Sequence, residues 1–346
     1  MDDMVNAIQK EIIFRKNYLG KEKVKTIYFG GGTPSLLNEK QLALLLNTIH
    51  DNFIVDPDSE ITLESNPDDL TTETLQMLRK VGVNRLSIGI QSFREEDLAL
   101  MNRAHNSSQA LQCVRDAKEA GFDNITIDLI YGLPNLTIDA WAKNMEIAIA
   151  LDVDHLSCYS LTVEPKTALA TMIKQQKVKD IDDDASATHF EMLMKAAAEH
   201  GFEHYEISNF ARNGKYSRHN TSYWKGKKYL GVGPSAHSFN IESRQWNVYN
   251  NHQYVKSISE GIIPAEIEIL SVKDKFNEYI LTSLRTIWGI DLQFVQREFG
   301  EYYLETLKSK LLVQLKQTFV EQNNDTFILS EKGKYFADKI SLQLFE

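Results

Sequence analysis

Cysteine is almost absent from this sequence, which limits the chemistry open to the chain. The 346 residues include only two, Cys113 and Cys158, each inside a segment of regular apolar spacing. A structural disulfide between them is not expected in a reducing compartment, and both are predicted to be small buried apolar residues. A secreted fold held together by disulfides is therefore excluded.

Long apolar runs and basic clusters are missing as well. No segment approaches the ~20 apolar residues of a membrane span, and the opening MDDMVNAIQKEI lacks the basic start and apolar middle of a signal peptide. The sequence holds 48 acidic and 38 basic residues, a net charge of −10, with no long basic stretch to neutralise a phosphate backbone. We expect a cytoplasmic protein without a membrane span, and nucleic acid is not expected as a partner.

Short apolar runs alternate along the chain with segments of helical spacing. Six runs are predicted to be strands: TIYF, ITLESNP, RLSIGIQSF, NITIDLIYGLP, HLSCYSL and HYEISNF. Strands that alternate with helices form parallel sheets with right-handed crossovers. The expected fold is α/β, a partial (β/α)6 barrel of the TIM type over residues 1–260. Its first strand is expected to be missing, because the chain opens in helical spacing at Met4, Ile8 and Ile12.

The alternation of predicted strands and helices ends at about residue 265. Residues 265–346 are predicted to form a small helical, winged-helix-like domain. Helical segments are expected near 273–287 and 291–317, followed by a hairpin around Asn323 and Asn324 and a last helix. Residues 271–346 carry 10 Lys and Arg against 11 Asp and Glu. This balance favours a structural or lid role over DNA recognition.

Small or polar residues end every predicted strand. They are Gly31, Gly32, Thr33, Glu64, Asn66, Gln91, Ser92, Asp128, Tyr131, Tyr159, Ser160, Glu206, Ser208 and Asn209. The carboxyl ends of parallel barrel strands converge on one rim, where such folds keep their chemistry. The sequence therefore predicts a single site on that rim.

Three consecutive glycines, Gly30 to Gly32, follow the first predicted strand in TIYFGGGTPSLL. The stretch is neither a Walker loop, which needs Gly-Lys-Ser/Thr, nor a dinucleotide fingerprint, which needs G-x-G-x-x-G. Glycine removes the side chains at this point, so the backbone can either adopt positive φ angles in a tight turn or lie against a ligand. Both alternatives are open from the residues alone.

Several motifs carry a family resemblance. GGGTPSLL, LESNPDDLT, NRLSIGIQSF, MNRAH, IDLIYGLP and YEISNFA occur in this order over almost the whole chain. Together they resemble the radical S-adenosylmethionine (radical SAM) family of oxygen-independent coproporphyrinogen III oxidases. HNTSYW at residues 219–224 is similar to the HNxxYW motif of the heme-chaperone branch of that family.

The resemblance implies two functions. One is a heme chaperone that binds heme and S-adenosylmethionine and transfers heme to acceptor proteins of the respiratory chain. The other is an oxidase that converts two propionates of coproporphyrinogen III to vinyl groups by radical decarboxylation. HNxxYW favours the chaperone, and a ligand-binding barrel with no heme role is a third alternative.

The resemblance also implies a cofactor site for S-adenosylmethionine made of Gly31, Gly32, Thr33, Glu64, Gln91, Arg103 and Asp128. The Gly-Gly-Thr stretch would receive the methionine end, and Glu64 would accept hydrogen bonds from ammonium or hydroxyl groups. Arg103 and Asp128 would line the cavity, where an Arg can pair with a carboxylate. The alternative for these two is a structural salt bridge with each other.

His219 is the candidate ligand for heme iron. A neutral imidazole is a standard axial ligand, and Tyr223 and Trp224 beside it supply flat apolar area for a porphyrin face. His237, in GVGPSAHSF, could be a second ligand or could only line the rim.

One part of the family pattern is absent. Family members hold a [4Fe-4S] cluster with a CxxxCxxC loop after the first strand, whereas this sequence has no such motif. Cys113 and Cys158 lie elsewhere and cannot replace it, so this chain is not expected to ligate the cluster or cleave S-adenosylmethionine. Whether it is an enzyme is left open, no catalytic residue is assigned, and a chain truncated at its N-terminus is favoured over a naturally cluster-free relative.

Overall fold

The computed structural model describes all 346 residues. Thirteen strands are formed: β1 (Val24–Phe29), β2 (Val55–Ser65), β3 (Arg85–Gln91), β4 (Ile125–Tyr131), β5 (His155–Ser160), β6 (Glu203–Glu206), β7 (Asn209–Ala211), β8 (His237–Phe239), β9 (Ser243–Asn247), β10 (Ala265–Ile269), β11 (Ile290–Asp291), β12 (Val320–Asn323) and β13 (Thr326–Leu329).

Fifteen helices accompany them: α1 (Asp2–Phe14), α2 (Glu39–Asn52), α3 (Thr72–Lys80), α4 (Glu95–Leu100), α5 (Ser107–Glu119), α6 (Ile138–Ala150), α7 (Ala168–Lys174), α8 (Asp183–Glu199), α9 (Arg218–Trp224), α10 (Asn251–Ser259), α11 (Val272–Leu284), α12 (Leu292–Phe299), α13 (Glu301–Lys316), α14 (Glu331–Lys334) and α15 (Ala337–Leu344). None of these helices is long and apolar enough to cross a lipid bilayer.

The largest sheet has seven strands in the order β1-β2-β3-β4-β5-β7-β6. β2 to β5 pair in parallel, as predicted from the alternation of strands and helices. β3 is buried along all but its last residue, as expected for a central strand covered on both faces. The helix after β4 begins as predicted, because Thr137 Oγ1 accepts a hydrogen bond from the Ala140 amide at 3.2 Å.

HYEISNF is not the single parallel strand that the sequence suggested. It forms two short strands, β6 and β7, which pair antiparallel with each other, and β7 also runs antiparallel to β5. Glu206 is the reason for the turn, since its Oε1 accepts hydrogen bonds from the Ser208 amide (3.2 Å) and from Asn209 Nδ2. The prediction of six parallel strands was wrong at this edge of the sheet.

Two smaller antiparallel sheets lie in the C-terminal third, in the orders β10-β9-β8 and β11-β13-β12. The predicted hairpin is confirmed: β12 pairs with β13 through Asn323 and Thr326, and Asn324 takes a left-handed φ of 54°. The helical segment predicted over 291–317 is broken, because Gly300 (φ 86°) ends α12 and precedes α13. The β8–β10 sheet was not predicted.

The chain divides into two compact units, neither of them continuous in sequence. The first comprises Met1–Ile27, Leu37–Ser59 and Arg218–Glu346, and the second comprises Tyr28–Leu36 and Glu60–Ser217. All seven predicted cofactor residues belong to the second unit, whereas His219 belongs to the first. The predicted division into 1–260 and 265–346 stays a prediction.

Candidate functional site

Glu64, at the end of β2, holds the triglycine stretch in place. Its Oε1 accepts a hydrogen bond from the Tyr28 hydroxyl at 2.7 Å, and its Oε2 accepts one from the Gly31 amide at 3.2 Å. Gly30 lies between them with no room for a side chain. A Cβ there would be 2.6 Å from the Tyr28 ring and 2.7 Å from the Glu64 carboxylate.

The next two glycines face open space. Gly31 has a φ of +77°, and a Cβ added to Gly31 or Gly32 would meet no atom within 4 Å. The three glycines therefore serve different needs: packing at Gly30, a left-handed turn at Gly31, and uncovered backbone at Gly32. Thr33 is exposed beside them. The stretch presents bare backbone next to a carboxylate, as the sequence argument anticipated for ligand contact.

Arg103 extends the site along the ends of β2 and β3. Its Nη2 donates to Asn66 Oδ1 at 2.8 Å and to the Gly89 carbonyl at 3.1 Å. Asp69 accepts in turn from Asn66 Nδ2 at 3.2 Å. The structure contains no ion pair between Arg103 and Asp128, so the salt-bridge alternative is wrong: Arg103 is engaged by the amide and carbonyl of neighbouring strand ends.

Asp128, in β4, is a carboxyl group with a strongly raised pKa. It is half-buried. Desolvation, together with the negative charge of Glu64, raises its pKa to about 7, while interactions with the Ser157 and Ser87 side chains and the charge of Arg85 act in the opposite direction. A carboxyl group that can hold a proton near neutral pH is typical of functional sites.

Gln91 marks the end of β3 with an unusual backbone. Its φ of 67° lies in the left-handed region, which a residue with a Cβ seldom adopts. The pairing between β3 and β4 shifts register between Ile88 and Gln91. Backbone strain of this kind persists where the surroundings enforce it, and it is concentrated at binding sites.

Contacts continue from Asp128 towards the hairpin edge of the sheet. Ser157 Oγ donates to Asn209 Oδ1 at 2.6 Å, and Asn209 Nδ2 donates to Glu206. Hydrogen bonds thus connect β5 to Glu206, even though the last two strands are antiparallel. Tyr28 was missed by the sequence argument, because nothing in TIYF separates a hydrogen-bonding Tyr from a packing one.

The [4Fe-4S] cluster of the family does not fit the residues of this chain. Cys113 is buried in α5, where its Sγ donates to the Ala110 carbonyl at 3.3 Å, and burial raises its pKa to about 12. Cys158 is buried in β5, and burial raises its pKa as well. No group of three or more Cys, His, Asp or Glu is placed to hold a metal ion.

His219 lies in the first unit on α9. Its Nδ1 is 3.1 Å from Thr26 Oγ1, and its ring meets the Tyr223 ring edge-on with centroids 4.9 Å apart. Tyr223 contacts Tyr229 in the same way at 4.5 Å and stays 39% exposed. His237 is exposed. Its role as a second ligand stays a prediction.

Comparison with known proteins places this geometry in a family. Residues 6–148 match the model of the radical SAM superfamily. Heme chaperone HemW of Bacillus subtilis is 32% identical over 345 residues, which cover 98% of this chain and 90% of that protein. Heme chaperone HemW of Mycobacterium tuberculosis H37Rv is 32% identical over 340 residues, covering 98% of this chain and 85% of that protein.

The fold comparison agrees. The structure of coproporphyrinogen III oxidase (HemN) from Escherichia coli, described as a radical SAM enzyme, superposes with a TM-score of 0.84 at 25% identity and covers 99% of this chain and 83% of that chain. The predicted radical SAM partial barrel with a helical C-terminal part is thereby confirmed. By sequence and fold, the chain belongs to the HemW family of heme chaperones within the radical SAM superfamily.

Proposed function

We propose that this protein binds heme through His219 and passes it to acceptor proteins, as the HemW name implies. The observation that carries the proposal is the HNTSYW segment, which forms the whole of α9 after Arg218 and holds its histidine beside an aromatic surface. Respiratory-chain proteins as acceptors and a cytoplasmic location stay predictions.

The hydrogen bond of His219 suits iron ligation. When Nδ1 carries the hydrogen, it donates to Thr26 Oγ1, and Nε2 is the unprotonated nitrogen that would ligate iron. A hydrogen-bond partner on the nitrogen that does not ligate the metal fixes both the tautomer and the orientation of the ring. Proteins commonly hold ligating histidines in this way. Thr26 therefore acts as a positioning residue in this proposal.

The aromatic residues after His219 offer area for a porphyrin. The rings of Tyr223, Tyr229 and Phe239 follow one another at centroid distances of 4.5 and 6.0 Å. Burial raises the pKa of Tyr223 to about 12, so its hydroxyl stays neutral at physiological pH. An uncharged, partly exposed aromatic surface can pack against a porphyrin face without a desolvated charge.

His219→Ala should weaken hemin binding at least tenfold, because the variant has no imidazole to ligate the iron. The measurement is a hemin titration that follows the Soret band, with far-ultraviolet circular dichroism to show that the fold is kept. His252→Ala is the matched control, since His252 is an exposed histidine of the same unit. Equal Soret bands for the three proteins would contradict ligation by His219.

The second unit is proposed to hold S-adenosylmethionine. The backbone at Gly31 and Gly32, the Thr33 hydroxyl and the Glu64 carboxylate would hold its methionine end, with Gln91, Arg103 and Asp128 lining the same cavity. S-adenosylmethionine supplies a sulfonium centre and an adenosyl group when it is bound. Because the residues of this chain do not fit the cluster, the proposal for this site is binding alone.

Gly32→Ala should weaken S-adenosylmethionine binding about tenfold or more while leaving stability almost unchanged. A Cβ at this position meets no protein atom within 4 Å, so it would lie in the space that the proposed ligand fills. Gly30→Ala, in contrast, should lower the free energy of unfolding by about 1–3 kcal/mol through overpacking against Tyr28 and Glu64. Calorimetric titration and urea unfolding measure the two effects.

Retained affinity in Gly32→Ala would contradict ligand contact at the glycines, and unchanged stability in Gly30→Ala would contradict the packing there.

The oxidase function is the second candidate, supported by the superposition on HemN. It is weaker, because the HemW relatives share 32% identity and HemN shares 25%. Anaerobic turnover of coproporphyrinogen III by the protein would favour it.

A further inference from the structure

The turn that ends β3 is a rare form of γ-turn centred on Gln91. The Ser92 amide donates to the Ile90 carbonyl at 2.8 Å, which closes a turn of three residues, and Gln91 at its centre has a φ of 67°. A γ-turn with a positive central φ is strained, whereas the common form has a negative φ. A residue with a Cβ adds to this strain, so the surroundings of the turn must enforce it.

Asn144, in the middle of α6, holds the residues that follow Gln91. Its side chain is buried; its Oδ1 accepts from the Phe93 amide at 3.0 Å, and its Nδ2 donates to Ser92 Oγ at 3.0 Å. Ser92 donates its one hydroxyl hydrogen to Asp97 Oδ2 at 2.8 Å, so its oxygen is free to accept from Asn144. We call Ser92, Phe93, Asp97 and Asn144, all of them buried, the γ-turn clamp.

His105 fixes the other end of the turn. Its Nε2 is 3.1 Å from the Ile90 carbonyl oxygen, which also accepts the Ser92 amide. A carbonyl oxygen can only accept, so Nε2 carries the hydrogen in this contact. Buried side chains from two separate segments therefore hold the residues on both sides of Gln91.

The γ-turn determines where the Gln91 side chain lies. A Cβ added to Gly89 would be 2.8 Å from Gln91 Nε2 and 3.2 Å from Arg103 Nη2, so both side chains lie over Gly89. Gln91 is half-buried, and its carboxamide has no hydrogen-bond partner in the protein. The turn thus holds an unused carboxamide beside a guanidinium, where it can bind a polar group of a ligand.

A purely structural role does not explain the residue at the centre of this turn. Glycine adopts a positive φ without strain and would form the same turn at lower cost. Glutamine instead retains the strain and adds a side chain that bonds to nothing in the protein. The strain has a reason if that side chain serves a ligand.

We propose that Asn144 is a positioning residue for S-adenosylmethionine binding: it enforces the strained γ-turn and so directs the Gln91 carboxamide into the cofactor site beside Arg103. The inference rests on the proposed function, which places Gln91 in that site. The role of Asn144 is indirect, because it is buried behind the turn and acts through its hydrogen bonds to Ser92 and Phe93.

Calorimetric titration of the full chain with S-adenosylmethionine tests the positioning role. Asn144→Leu removes both hydrogen bonds of the clamp and should weaken binding about tenfold, as should Gln91→Ala. Asn144→Leu/Gln91→Ala should bind no more weakly than Gln91→Ala, because both changes act through one side chain. Trp141→Phe is the matched control: it removes another buried hydrogen bond of α6, from Trp141 Nε1 to the His189 carbonyl at 2.9 Å, and should leave affinity unchanged.

Thermal unfolding tests the strain without the cofactor. Gln91→Gly should raise the Tm by about 2–4 °C, because glycine adopts the φ of 67° freely. Gln91→Ala keeps the Cβ and should give no such rise. In the Asn144→Leu background the gain from Gln91→Gly should shrink, because the turn is no longer enforced.

The possible outcomes separate this inference from the proposed cofactor site. Unchanged affinity in Asn144→Leu, or a further loss when it is added to Gln91→Ala, overturns the positioning role and leaves the cofactor proposal intact. A Gln91→Gly protein with a Tm no higher than that of the wild type overturns the strain and the inference built on it. Absence of S-adenosylmethionine binding by the wild-type protein overturns the proposed cofactor site and this inference with it.

Discussion

Asp128→Asn should make the protein more stable at neutral and alkaline pH, although it removes a group from the centre of the candidate site. At pH 8 we expect the free energy of unfolding to rise by about 2–4 kcal/mol. The expectation follows from the pKa of Asp128, which is raised from 3.8 to about 7 in the folded protein.

The sign follows from the protons that each state binds. Between pH 3.8 and 7, Asp128 is ionised in the unfolded chain and protonated in the folded one. The folded state therefore binds more protons, and stability falls as pH rises through this window until it levels above pH 7. Asn cannot ionise, so the free energy of unfolding of the variant does not fall in this way as the pH rises. Its advantage over wild type should grow by about 2–3 kcal/mol between pH 5 and pH 8.

Urea unfolding at pH 5 and pH 8 measures this difference directly. Glu119→Gln serves as the control, because it removes an exposed carboxylate of α5 in the same unit and should give equal differences at both pH values. An Asp128→Asn effect that does not change between pH 5 and pH 8 would contradict the raised pKa.

A destabilising carboxylate at this position has a functional meaning. Burial disfavours ionisation of Asp128 most, and the charge of Glu64 adds to it. Glu64 is also the acceptor that holds Tyr28 and Gly31. A bound cation, such as the ammonium or sulfonium of S-adenosylmethionine, would favour both carboxylates in their ionised form. The proposed ligand would thus offset the repulsion between the two carboxylates.

The sequence was sufficient for the parallel part of the fold, since local spacing governs it. Thr137 caps α6 as predicted, because a capping residue and an apolar stripe lie within a few positions of each other. The prediction of a single strand for HYEISNF was wrong because local spacing does not determine its structure. Its turn depends on the Glu206 carboxylate folding back onto Ser208 and Asn209, which is a side-chain choice that β propensity does not encode.

The same limit applies to the site. Glu64 and Gly31 were placed together because parallel strand ends converge, and their hydrogen bond confirms it. The partner of Arg103 could not be predicted, because Asp128 and Asn66 were both predicted to lie at strand ends, and the structure shows that Asn66 is the residue bonded to Arg103. Glu11 was not singled out at all, since its partners Gly233 and Asn247 are more than 220 positions away.

Glu11→Ala should lower the free energy of unfolding by about 3–5 kcal/mol, the range for breaking a buried ion pair. Glu11 is fully buried in α1. Its Oε1 accepts from Arg15 Nε and Asn247 Nδ2, each at 2.8 Å. Its Oε2 accepts from the Gly233 amide at 2.8 Å and the Tyr254 hydroxyl at 2.5 Å.

The large effect comes from what the truncation leaves behind. Without Glu11, Arg15 keeps its charge at 5% exposure with only the neutral Gln245 and Asn247 as acceptors. Glu11→Met/Arg15→Met removes both charges at similar volume, so it should be less destabilising than Glu11→Ala alone. Urea unfolding of the single and double variants measures the coupling. A double variant as unstable as the sum of its single variants would mean that the two side chains act independently, and that the helix is held to the loop at Gly233 by packing instead.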